Sequence, residues 1–184
     1  MPDMKHREKI EKAIRKTCEG LFEDEIKMDF ILSQGGFEKY FQTEIANGLR
    51  VMGDDVNVEG VERVDIVINK NSKPSAVIEI GAGFLSQKHQ TYKPGLDWKK
   101  FQEKKVGNNS DLRRSEYYSL MLLAYGNRKD SFPSNRKPNY ALIDFFEIND
   151  ARWKNLGFKK LMSKEYLGRG LGLSVTLLSP CDKG

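Results

Sequence analysis

The sequence predicts a mixed α/β fold, and three observations carry that prediction. Two early segments repeat apolar residues at helical spacing. From Asp54 onward the spacing changes to the alternation of strands. Helices come first, a hairpin follows, and further strands and helices close the chain, with no internal repeat or low-complexity linker. One domain is expected for 184 residues and 21.1 kDa, since domains usually run to about 100–200 residues.

The elements follow in order. Residues 4–19 predict a charged helix, with Ile10, Ala13, Ile14 and Thr17 on one stripe and Lys, Arg and Glu around the rest. Gly20 is its expected stop. Residues 21–34 show a mixed pattern, and the glycine pair at 35–36 is a break. A second helix is expected from Phe37 to Leu49, with Phe37, Tyr40, Phe41, Ile45 and Leu49 on its apolar stripe and Glu44 beside it. The run 56–70 (VNVEGVERVDIVINK) alternates as strands around Gly60, 71–74 (NSKP) is turn chemistry, and 76–84 (AVIEIGAGF) is a short apolar strand. A β-hairpin therefore joins the last two runs. Beyond it the sequence predicts a polar connection over 85–97, a basic amphipathic helix or turn over 98–105 and a buried strand over 116–126. A loop over 127–138 and an aromatic strand over 139–148 follow. Residues 150–166 predict a helix offering Trp153, Leu156, Phe158 and Leu161 for packing, and 170–179 a final edge strand.

Composition narrows the class. Apolar residues are 39% and charged residues 31%, and 10 Phe, 7 Tyr and 2 Trp argue against disorder. No apolar run approaches the roughly 18–20 residues of a membrane span. The segment MPDMKHREKIEKAIRK lacks an apolar signal core, so a cytoplasmic location is expected. Cys18 and Cys181 form no zinc spacing and are expected to be free thiols. Two histidines, His6 and His89, are too few for a His-based zinc site. The serines at 86, 115 and 119 lack the context of a nucleophile elbow, and the glycines at 81–83 lack the spacing of a phosphate loop. A net charge of +5 leans mildly toward polyanions.

The chemistry sits in two carboxylates. Asp65 interrupts the apolar run Val64, Ile66, Val67, Ile68, and Glu79 interrupts Val77, Ile78, Ile80. A carboxylate in an apolar strand is costly unless compensated. If the hairpin turns about Ser72, partner numbers sum to 144 and Asp65 lies opposite Glu79. Opposed side chains share a face and stand about 5 Å apart, so the two charges repel. A divalent cation resolves that conflict, and oxygen-only ligands suit Mg²⁺ or Mn²⁺. An edge hairpin with its polar face in water would give the same alternation. Val67 and Val77 on the acidic face speak against that.

An Asp, a hairpin and then Glu on an apolar strand resemble the PD-(D/E)XK nuclease superfamily, which includes many restriction endonucleases. The resemblance is closest over 63–83 (RVDIVINKNSKPSAVIEIGAG) and extends over roughly 37–148. It implies a central mixed β-sheet flanked by helices, with a restriction-endonuclease-like core. It also implies a Mg²⁺- or Mn²⁺-dependent DNA endonuclease acting as a homodimer, since one active site cuts one strand. Asp65, Glu79 and the Ile80 carbonyl would hold the metal, with Glu44 as an auxiliary ligand. Val64 stands in place of the motif's Pro, and Gly81 in place of its Lys. A displaced cation can fill the latter role, either Arg63 opposite Gly81 or Lys88 or Lys93 downstream. A nuclease fold that binds nucleic acid or a protein without cutting, or an engineered substitution, accounts for the glycine as well. Lys93, Lys99, Lys100, Lys104, Lys105, Arg113 and Arg114, interleaved with Tyr92, Trp98 and Phe101, would grip phosphates in the nuclease reading. A solvated helix that packs Trp98 and Phe101 inward is the alternative.

Overall fold

A computed structural model describes residues 5–33, 37–59, 64–84, 112, 114–126, 153–168 and 170–181. The elements are α1 (His6–Phe22), α2 (Glu25–Ser33), α3 (Phe37–Val51), β1 (Asp55–Val58), β2 (Ile66–Lys70), β3 (Lys73–Phe84), β4 (Glu116–Gly126), β5 (Phe158–Leu167) and β6 (Leu171–Pro180). The strands form one mixed sheet in the order β1-β2-β3-β4-β6-β5. β3 and β4 run parallel, and every other neighbouring pair is antiparallel.

The sheet separates two buried clusters. On one face Ile66, Ile68, Ala76, Ile78, Ile80, Leu120 and Leu122 meet the apolar stripes of α1 and α3. α3 contributes Phe41, Ile45 and Leu49 there, all fully buried. Each side chain of that size contributes about 1.5–3 kcal/mol on burial. α1 and α3 approach closely at Gly48, where a Cβ would come within 3.3 Å of the Ala13 Cβ. On the other face Val64, Val67, Val77, Tyr117, Met121, Leu123 and Leu178 pack with Leu112, Trp153 and Phe158.

Several expectations are corrected. α1 passes through Gly20 to Phe22, because Leu21 continues the buried stripe of Ile14, Thr17 and Cys18 while Gly20 faces outward. Residues 25–33 are helical, with Met28 and Leu32 buried one turn apart. The helix expected over 150–166 is largely the strand β5, with a single helical turn at 153–155. β6 is an interior strand between β4 and β5, buried from Leu171 to Ser179. The described edges are β1 and β5. The strand expected over 139–148 and the helix over 98–105 lie outside the described residues.

The β2–β3 hairpin sets the register of the site. Asn71 and Ser72 both take positive φ, 53° and 59°. These are the conformations of a two-residue type I′ turn, and Lys70 pairs with Lys73 across it. From that turn alone, partners would sum to 143, and Asp65 would face Ile78. The register shifts between Ile68 and Asn69, leaving Ser75 as an extra residue on β3. Its hydroxyl donates to the Ile68 carbonyl at 3.0 Å. Beyond the bulge Ile68 pairs with Ala76, Val67 with Val77 and Ile66 with Ile78, so partners sum to 144.

Candidate functional site

Asp65 lies one residue before β2, and Glu79 lies within β3. The paired ladder stops at Ile66 and Ile78, one step short of both. Val67 and Val77 belong to the second cluster. Strand alternation puts Glu79 on that same face, away from α1 and α3. The face is not a polar edge open to water: Val67 and Val77 are buried, and Glu79 is 8% exposed. β1 also flanks β2, so the hairpin lies inside the sheet.

Asp65 is held at three points. Its carboxylate Oδ2 accepts the Ile80 N–H at 2.7 Å, directly beside the peptide that carries Glu79. Its backbone carbonyl accepts the Glu59 N–H at 3.1 Å and the Gln42 side-chain amide at 2.8 Å. The N–H and C=O of one strand residue point to the same side. The Ile80 carbonyl therefore looks toward Asp65, past the end of the ladder. The Asp65 carboxylate thus meets the Ile80 peptide where β2 begins, and Glu79 is the preceding residue of β3. Glu79 neighbours Ser119 of β4 in the parallel register, and Gly81 neighbours Met121.

This donor set suits Mg²⁺ or Mn²⁺. Among the described residues no group of three or more His, Cys, Asp or Glu side chains gathers as a metal site. An ion held here would complete its shell with the Ile80 carbonyl and water. Mg²⁺ commonly binds in that way, through one or two carboxylates with several waters retained.

Other expected site residues fall elsewhere. Glu44 is exposed on α3, and its charge acts on Lys27 of α2. Gln42 faces Asp65, and two residues turn a helix by about 200°. The structure therefore does not bring Glu44 to the carboxylate pair. Glu38, one turn before Gln42, is on the side of α3 that Glu44 was expected to occupy. Arg114 is exposed just before β4, five residues before Ser119 and toward the hairpin turn. Arg63, Lys88, Lys93, Lys99, Lys100, Lys104, Lys105 and Arg113 lie outside the described residues.

Three polar residues at the site escaped the sequence reasoning. Gln42, 2% exposed, accepts from the Lys39 ammonium at 3.2 Å while donating to Asp65. Lys39 in turn pairs with Glu59. Ser119, 1% exposed, interrupts the apolar strand β4 as Asp65 and Glu79 interrupt theirs. That shared interruption was the available signal for Ser119. Gln42 gave none, because a glutamine flanking an apolar stripe looks like any solvated neighbour. Comparison with family models, curated proteins and solved structures returns no match to this chain.

Proposed function

We propose that this chain is a Mg²⁺- or Mn²⁺-dependent DNA endonuclease with a restriction-endonuclease-like core. One observation carries the reading: the Asp65 carboxylate is hydrogen-bonded to the Ile80 N–H, and Glu79, the residue before Ile80, is a buried carboxylate. An acidic residue inside an apolar sheet is kept for a use, and shared hold on a cation is the use we propose for Asp65 and Glu79. Asp65, Glu79 and the Ile80 carbonyl would hold the ion. When bound, it supplies Lewis acidity toward a phosphate oxygen and toward the attacking water. The chain's own part is orientation. The Ile80 N–H fixes one Asp65 oxygen and leaves the other for the ion, and Glu79 would reach the ion from the adjoining residue of β3. A duplex break needs two such sites, so a homodimer on DNA is part of the proposal.

Gly81 favours a second reading, a nuclease fold that binds nucleic acid or a protein partner without cutting. A glycine offers no ammonium to orient water or to offset charge on the phosphate. Arg63 and Lys88 remain the proposed substitutes.

Plasmid cleavage separates the two. The purified chain is incubated with supercoiled plasmid, with EDTA, Mg²⁺ or Mn²⁺, beside the Asp65→Ala, Glu79→Ala double variant. Metal-dependent nicking or linearisation that the double variant loses is the expected result. DNA retention without cutting under every metal condition would leave only the binding reading.

A further inference from the structure

We infer that Gln42 is the positioning residue of this ion site, a helix side chain that aims Asp65 without touching the cation. The inference rests on the ion-site reading above and adds to it a role for α3.

The inward side of α3 is otherwise apolar, with Phe37, Phe41, Ile45, Ala46 and Leu49 buried around Gln42. A buried amide is costly unless both of its ends are bonded. Here both are. Nε2 donates to the Asp65 carbonyl at 2.8 Å, and Oε1 accepts from the Lys39 ammonium at 3.2 Å. Packing alone would be served by a leucine at this position, so the amide answers a polar need. That need is local to Asp65. The Glu59 N–H bonds the Asp65 carbonyl as the next step of the β1–β2 register, and Gln42 adds a second bond to that carbonyl from α3.

The three contacts divide the work. Ile80 holds the carboxylate, Glu59 closes the β1–β2 connection, and Gln42 ties the Asp65 main chain to a rigid helix. Lys39 polarises the amide, which strengthens the Nε2–H donor. Without the amide, Asp65 keeps its bonds to Glu59 and Ile80 but loses its anchor to α3. The Asp65 main chain can then shift against α3, and the oxygen that would face the ion shifts with it. Partners that orient a metal ligand from behind are worth about 10–100-fold in metal affinity.

The test uses Mn²⁺ alone as the probe, on the full chain. Bound Mn²⁺ is read from the loss of the free-ion electron paramagnetic resonance signal. The temperature is one at which circular dichroism shows each variant fully folded, so stability does not enter. Wild type, Asp65→Asn, Gln42→Met and Ile45→Val are compared. Asp65→Asn is expected to abolish the site. Gln42→Met keeps the length and loses both hydrogen bonds, and is expected to bind at least tenfold more weakly. Ile45→Val, a packing change one turn along, is expected to bind as wild type does. If Gln42→Met does not fold, Gln42→Asn replaces it, with its amide too short to reach Asp65. Wild-type affinity in the folded Gln42 variant, or an equal loss in Ile45→Val, overturns the inference alone. If wild type binds no Mn²⁺, or Asp65→Asn binds it equally well, the ion-site reading fails and this inference with it.

Discussion

At the residue scale the molecule turns on Glu79. It stands on a strand whose neighbouring positions, Val77, Ile78 and Ile80, are buried and apolar. Its place was legible in the sequence as a charge where the pattern wanted a hydrocarbon, and so was that of Asp65. The supporting residues were not legible to the same degree. Gln42 is 23 residues from Asp65 in the chain, and only the packing of α3 on the sheet brings them together. The wild-type melting temperature should rise in excess Mn²⁺, since a ligand at 100 times its Kd adds about 2.7 kcal/mol. For a chain of this size that is about 5–11 °C. Glu79→Gln keeps the shape and removes the charge, and its melting temperature should not respond to Mn²⁺. A Glu79→Gln protein stabilised as much as wild type would remove Glu79 from the site.

At the element scale, legibility followed how simply each segment obeys one period. α3 and β4 obey theirs, and were predicted close to their observed bounds. β5 does not. A bulge at Leu161 shifts the register between Lys160 and Met162. It sends Phe158 to the second cluster while Met162 and Tyr166 go to the helix-covered one. A one-residue shift exchanges the two faces of a strand, so neither half displays an alternation long enough to recognise. β6 is buried on both faces, which erases its alternation altogether. The β2–β3 turn offers a check on the hairpin geometry. Ser72 holds a left-handed φ of 59°, which costs a non-glycine residue about 1 kcal/mol. Ser72→Gly should recover much of that and raise the melting temperature by about 2–4 °C. A fall in melting temperature would mean that the Ser72 side chain holds the turn by some other contact.

At the scale of the whole molecule, the helix-covered face holds most of the buried apolar side chains among the described residues, and Glu79 lies on the opposite face. Among the described residues no helix is long and apolar enough to cross a membrane. Burial also shapes the response to alkali. It pushes the Cys18 thiol from 9.0 up to about 12 and the Tyr125 phenol from 10.0 up to about 12. Tyr118 and Tyr166 are also raised, again chiefly by burial. A raised folded value means that the unfolded chain gives up its proton first. The resulting stability is complete below the unfolded values and is lost as pH rises through the folded ones. The melting temperature should therefore hold near pH 8 and fall between about pH 9 and pH 12, as differential scanning calorimetry would show. A flat profile across that window would mean that these groups titrate alike in the folded and unfolded chain.

The extra residue at Ser75 has a consequence beyond its own strand. It converts the frame dictated by the Asn71–Ser72 turn into the one that brings Asp65 alongside the Glu79–Ile80 peptide. From Ser75 to Ile80 is roughly 17 Å of extended chain, yet the spacing is transmitted without loss because a pleated ribbon does not stretch. Evolution can repaint this tip with other side chains, but it cannot lengthen or shorten it by a single codon without pulling the two acids out of step.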